Sequence, residues 1–594
     1  MKCSTKKILQ AVVIFAISIS VRSAGSAESS AKQPKVPDFQ STARVVHFPK
    51  DMSIGRVYLV EMPLPQDRLW HRALTWDNKS LGEARRDVTV PADGMLRLDV
   101  FGEVPKGRPF ANLRPDDIQI MSLMTCRYVN DALIQDVSRL TGLEVLMIGE
   151  STITPKGLRY LTRLKRLKAL AIPGHIRGQD MGFLRELPPL EYLHFGGPMV
   201  TDDKMPVIGT LTSLTQLSLG GSEVGQGLAD LKGLKSLRWL HLEANRSYDI
   251  DKHLAHIAGL SELEELELSH TQIGYAGLAH LAGLTKLKKL HIRSNPATDR
   301  ITDAGLAHLK NLKSLEEVDL PYTRITDTGV ECLTQIESLK KMNPYGDGIT
   351  DKAIEKMAKM KLLENLGIRS DNITDAGIAQ LAQFANLKSL DLNGCSVTNE
   401  GLASLAKMKV LNTLTITKTR INGEGLAALK ELPDLAELNL LFMTLGDKRI
   451  SHLANLPKLK KLWLGYPDFG LSDEDLAHLG TLSSLRTLDI RLNRDHPSTV
   501  TNEGLKHLAR LKNLTFLRLP GNINVTDEGL RHLSNLTALE QVWVNNSPIT
   551  DAGLKYFENM TSLNYLCITK SHITEKGEAQ LEKKIPGLYC NFSR

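Results

Sequence analysis

The strongest constraint on this chain is a rib of about 24 residues, laid down about nineteen times. Ile301, Ile325, Ile349, Ile373, Val397, Ile421 and Leu445 are evenly spaced. A second signature travels with them, as in Leu363-x-x-Leu366-x-Ile368, Leu387-x-x-Leu390-x-Leu392 and Leu411-x-x-Leu414-x-Ile416. A period of this length belongs to solenoids, in which each unit buries its apolar surface only against its neighbours.

Within a rib, Leu-x-x-Leu-x-Leu alternates as a strand does, with the leucines on one face. After a turn, Ile301–Leu309 (Ile-Thr-Asp-Ala-Gly-Leu-Ala-His-Leu) reads as a helix start. Thr302 stands at the N-cap, Asp303 in the electropositive first turn, and Leu306, Leu309 and Leu312 form one apolar stripe. Parallel strands pack about 4.8 Å apart and helices about 8–10 Å apart. Strands must therefore line the inside of an arc. The predicted fold is α/β: a right-handed horseshoe solenoid with parallel strands on its concave face and helices on its convex face.

The N-terminus departs from the repeat. Lys2, Lys6 and Lys7, the apolar run Ile8–Val21 and Gly25-Ser26-Ala27 read as a secretory signal over residues 1–27. The run is short against the roughly 20 residues that span a bilayer. Residues 28–43 are polar and Pro-containing, a flexible linker. Residues 44–111, with alternating stretches near Arg56, Val88 and Met95, predict a small β-rich domain that caps the solenoid of residues 112–594. The segment Leu581–Cys590 drifts off the repeat and reads as a C-terminal cap. Five cysteines beyond Cys3 are scattered without paired spacing, which suits free thiols, although an extracytoplasmic compartment permits disulfides.

The block Leu-x-x-Leu-x-Leu…Ile-Thr-Asp-x-Gly-Leu-x-x-Leu resembles the leucine-rich repeat family, in a subtype similar to F-box/leucine-rich-repeat proteins and large secreted bacterial repeat proteins. The resemblance covers about residues 112–594. It implies a protein-binding scaffold. A ubiquitin-ligase substrate receptor is disfavoured, because no F-box-like helical segment precedes the ribs and a secretory signal occupies the N-terminus.

Strand positions between the leucines point outward and are the expected partner-binding residues. A first zone holds Tyr192, His194, Trp239, His241, Glu265, Glu267, His291, Arg293, Glu317 and Asp319. Its acids would suit a basic partner. A second zone holds Trp463, Asp489, Arg491, Phe516, Arg518, Trp543 and Tyr565. Of the chain's five tryptophans, the three within the ribs share this outward slot. Exposed aromatics flanked by charges anchor interfaces; the same rings could instead stiffen the sheet by packing on neighbours. Longer ribs insert residues at Asn245–Asp249, Asn295–Arg300, Tyr466–Gly470, Asn493–Thr499 and Asn522–Val525, on one rim by the repeat logic, either for binding or as tolerated loop drift.

Other chemistry finds little support. His256, His280, His308, His452, His478, His507 and His532 share a helix slot, but adjacent helices stand too far apart for two imidazoles to hold one ion. The Thr-Asp pairs recur in nearly every rib, so helix capping explains them better than acid–base catalysis. A net charge of +7 with Lys and Glu interspersed leaves no basic stripe for nucleic acid. The expectation is a non-enzymatic, monomeric, secreted or periplasmic scaffold with no metal or cofactor, binding a protein or other macromolecule. A structural envelope protein is the alternative.

Overall fold

The structure, a computed structural model, describes residues 44–592 apart from 51–52, 61–78, 92–93, 104–106, 175–180, 248, 293–300, 321–322, 447–449, 468–469, 492–497, 522–523 and 586–587. The expected signal and linker, Trp70 and Trp76, and much of the insertion loops lie outside the described residues. The chain forms two compact units, Met1–His194 and Phe195–Arg594.

In the first unit, Arg44–His47 pairs antiparallel with Asp87–Val90. Arg56–Val60 pairs antiparallel with both Lys79–Glu83 and Met95–Glu103. Met95–Glu103 then runs parallel to Ile120–Arg127, the first rib strand, followed by Val145–Ile148 and Ala169–Pro173. One sheet thus joins the β-rich start to the first ribs of this unit. Leu96, Leu98, Met121, Leu123, Leu146 and Leu170 fill its core. Asp136, almost fully buried, accepts from the Phe110 N–H at 3.0 Å and meets Arg139 at 3.2 Å, anchoring the loop before the first rib.

The second unit is a stack of parallel strands from Gln216–Ser218 to Tyr589–Asn591. Its register keeps one slot aligned from rib to rib: Leu217, Leu240, Leu266, Leu290, Val318, Met342, Leu366 and onward to Leu566 and Cys590. Each buried leucine contributes about 2 kcal/mol. The α/β solenoid expected from the repeat is what the unit shows, with strands on one side and helical segments on the other.

The helical segments are shorter than the sequence suggests. Asp303–Leu306 is α-helical, Ala307–Asn311 is 3₁₀, and Leu312 closes the turn. A 3₁₀ turn rises about 2.0 Å per residue against 1.5 Å for an α-helix, so it crosses the rib in fewer residues.

The Thr-Asp pairs do more than cap helices. Thr326 accepts from the Thr328 N–H at its own helix start. Its N–H and hydroxyl also donate to the two oxygens of Asp303, one rib back, at 2.8 and 2.7 Å. The same clasp joins Asp327 to Thr350, Asp351 to Thr374, Asp375 to Thr398, Asp473 to Thr501, Asp527 to Thr550 and Asp551 to Thr574. The glycine of the motif leaves room for that carboxylate: a Cβ on Gly329 would lie 2.2 Å from Asp303 Oδ1. One rib has Ala353 in this slot, opposite Asp327, and keeps both clasp bonds.

After several strands the chain turns through a left-handed residue that is not glycine: Ala244, His270, Lys418, Asn546 and Lys570 have φ of 53–58°. The next residue is small and polar. Thr271 and Thr419 use their hydroxyls on the Leu268 and Ile416 carbonyls, at 2.6 and 2.9 Å. These bonds satisfy backbone groups that the turn would otherwise bury unpaired.

The five described cysteines are free, with Cys126, Cys395 and Cys567 buried. Burial pushes their thiols up to about 11, 12 and 11. Because the thiolate is the reactive form, these three should resist a thiol reagent at neutral pH in the native protein and react on unfolding. Rapid native labelling at any of them would contradict the packing. Among the described residues no helix is long and apolar enough to cross a membrane.

Candidate binding face

The outward slots of the strands carry two different surfaces in the two units. In the first unit Val145, Met147, Ala169 and Ala171 join Val60, Met95 and Ile120 in a buried apolar cluster, and Tyr192 packs against it. Burial pushes the Tyr192 hydroxyl well above its ordinary range. His194 is half-buried.

In the second unit the first zone is a charge ladder. Trp239, Glu265, Lys289, Glu317 and Lys341 occupy one slot on successive ribs. The Trp239 indole N–H donates to Glu265 at 2.9 Å, Lys289 reaches the same carboxylate at 3.2 Å, and Lys341 pairs with Glu317. His241 meets Glu243 at 3.1 Å and Ser218 at 3.3 Å. Glu267 accepts from the Ser269 N–H at 2.7 Å. Asp319 is nearly buried with Asn343 at 3.4 Å, and His291 is half-buried beside Asp319 in register. Arg293 lies outside the described residues. Lys289 and Lys341, on alternate ribs, pair with two of the four carboxylates of this zone, Glu265 and Glu317.

Burial raises the Glu265 carboxyl, but Lys289, His291 and the Trp239 bond outweigh it and hold the group below its ordinary value of 4.5. A depressed carboxyl stabilises the fold above the unfolded value and loses that contribution as pH falls through the folded one. Glu265→Gln should therefore cost stability at neutral pH, with the gap to the parent closing below pH 4.5. Chemical unfolding across that window checks it; a pH-independent gap would assign the effect to packing.

Between the zones, the Tyr345 hydroxyl reaches Asp391 at 3.3 Å, two ribs on. It passes over Gly367, where a Cβ would lie 3.2 Å from that hydroxyl. Sequence reading missed Tyr345, because it falls just past the strand.

The second zone is brought together tightly. Asp489 is 1% exposed and shared by Arg491 at 2.8 Å and Arg518 at 3.4 Å. The Arg518 guanidinium lies 5.7 Å from the Phe516 ring and 4.7 Å from Trp543. The rings run on from rib to rib: Phe516 to Trp543 at 4.7 Å, Trp543 to Tyr565 at 4.7 Å, and Tyr565 to Tyr589 at 5.5 Å. Tyr589, 58% exposed, extends the column; its place in the strand slot was hidden by the degenerate last rib. Trp463 is half-buried and in register with Asp489.

The helix-side histidines are separate from this face, most of them half-buried. Among the described residues no group of His, Cys, Asp or Glu has the arrangement of a metal site.

Residues 174–402 match the family described as a leucine-rich repeat region. No curated protein matches. Among solved structures the chain is similar to an internalin of Listeria monocytogenes, at 19% identity over 67% of this chain and 85% of that one, with a TM-score of 0.28. It is similar also to the leucine-rich-repeat ectodomain of a plant membrane receptor kinase from Arabidopsis thaliana, at 16% identity, 83% and 56% coverage and a TM-score of 0.34. A leucine-rich-repeat protein of Leptospira interrogans gives 17% identity, 80% and 96% coverage and a TM-score of 0.34. Residues 174–402 thus carry a leucine-rich repeat region, whose Leu-x-x-Leu-x-Leu strands stack in one parallel register.

Proposed function

We propose that this chain is a non-enzymatic scaffold that holds a protein partner against the strand face of its second unit. The observation that carries this reading is the placement of Trp239, Trp463 and Trp543. All three stand half-buried in outward slots, while the inward slots beside them hold fully buried leucine or valine. Large rings with a polar edge left at the surface are the usual anchors of an interface. The insertion loops of the longer ribs supply a second contact along one rim. Residues 44–111 serve as a cap, and the signal at residues 1–27 directs a monomeric protein out of the cytoplasm, to an envelope compartment or beyond, without a cofactor.

A photocrosslinker at position 463 should capture the partner, and the same group at 478, on the helical side, should not. In an affinity pull-down with the chain free of crosslinker, replacing Trp239, Trp463 and Trp543 by alanine should abolish capture while leaving the melt nearly unchanged. Equal crosslinking from both sides, or capture that survives the triple replacement, would remove the reading. Self-crosslinking alone would favour an envelope lattice.

A further inference from the structure

The five strands Thr487–Arg491, Phe516–Leu519, Gln541–Val544, Tyr565–Cys567 and Tyr589–Asn591 carry one carboxylate, Asp489, against two guanidiniums, Arg491 and Arg518. That carboxylate is 1% exposed and engaged by both arginines. The surplus charge of these strands is therefore positive, whereas the strands from Glu265 to Pro344 carry four carboxylates, Glu265, Glu267, Glu317 and Asp319, against Lys289 and Lys341.

The rings add a second preference. Phe516, Trp543, Tyr565 and Tyr589 lie 4.7–5.5 Å apart, the first two pairs tilted at 35° and 31° and the last stacked at 20°. Rings this close cover part of one another's faces, and Arg518 lies over those of Phe516 and Trp543, so ring edges and guanidiniums are what a ligand meets. The edge is the positive part of an aromatic quadrupole. A surface of ring edges and guanidiniums complements an anion carried on an apolar stem. A sugar ring would need the faces, and those of Trp543 and Tyr565 are taken by their neighbours.

Resting on the protein-binding reading above, we propose that this aromatic–arginine column is the subsite for an acidic, extended segment of the partner. Its carboxylates meet Arg491 and Arg518, and its apolar side chains lie along the ring edges.

The test uses the full chain and short fluorescent peptides of alternating Glu and Leu, or Gln and Leu, with oligogalacturonate as the acidic-sugar probe. The Glu peptide should bind at least about tenfold more tightly than the Gln peptide, weaken as salt rises, and quench indole emission. Arg491→Gln with Arg518→Gln should lose about tenfold in affinity. Tyr589→Ser, at the exposed end and outside the Asp489 network, should lose about threefold, and it keeps the test open if the double variant fails to fold. Equal binding of Glu and Gln peptides, or unchanged binding by both variants, would overturn the proposal. Tighter binding of oligogalacturonate would overturn it in favour of an acidic polysaccharide. Failure here with crosslinking at position 463 intact removes only the acidic segment; loss of both removes the scaffold reading as well.

Discussion

Replacing Asp303 by alanine is expected to cost about 3 kcal/mol in the local stability of the ribs at Thr302–Leu309 and Thr326–Leu333. The carboxylate takes two bonds from Thr326, at 2.8 and 2.7 Å. Its loss strands a backbone N–H and a hydroxyl inside the rib stack. Thr302→Ala is the informative comparison. Thr302 makes no side-chain cap bond, and the rib before it carries Tyr275 in the slot that holds the clasping acid in the pairs above. Its replacement should cost no more than about 0.5 kcal/mol. Amide exchange over residues 301–333 separates the two. Equal costs would mean that the two bonds from Thr326 to Asp303 add nothing to the stack. Gly329→Ala should also be less harmful once Asp303 is alanine, since the oxygen 2.2 Å from its Cβ position is gone.

The second large effect is expected at Asp489. Its removal leaves Arg518 largely buried between Phe516 and Trp543, and Arg491 beside it, without their shared acid. Breaking a buried pair from one side costs about 3 kcal/mol, read as faster exchange across Thr487–Leu519 and a lower urea midpoint followed by tryptophan emission. Lys356→Ala removes an exposed, solvent-screened pair with Glu331 and should leave the urea midpoint almost unmoved. If the two variants behave alike, the Asp489 cluster is solvated and the column above it is not preorganised.

The ribs were legible because a leucine in the wrong phase cannot be buried, so the period of the sequence is the period of the fold. Trp239, Trp463 and Trp543 were legible as outward residues for the same reason, though the register corrects their sharing of one slot: Trp463 and Trp543 follow inward Leu462 and Val542 by one place, whereas Trp239 precedes inward Leu240. Their partners were not. Lys289 lies 24 residues beyond Glu265, and Arg518 lies 29 beyond Asp489. Only the register across ribs makes such residues neighbours. The Thr-Asp motif was read as a local cap because the threonine does cap its own helix, which hid the bond its hydroxyl makes to the rib before. Tyr589 escaped because Leu-x-x-Leu-x-Leu has decayed at the last rib, although the strand register continues through it.

The amino-acid sequence by itself determined the stack of strands and helical turns, since alternation and period follow from which side chains must leave water. The tertiary structure alone decided the character of the exposed face. Charge compensation, ring stacking and the sharing of one acid by two arginines depend on distances of a few ångströms between residues a full rib apart, and no linear pattern encodes those distances.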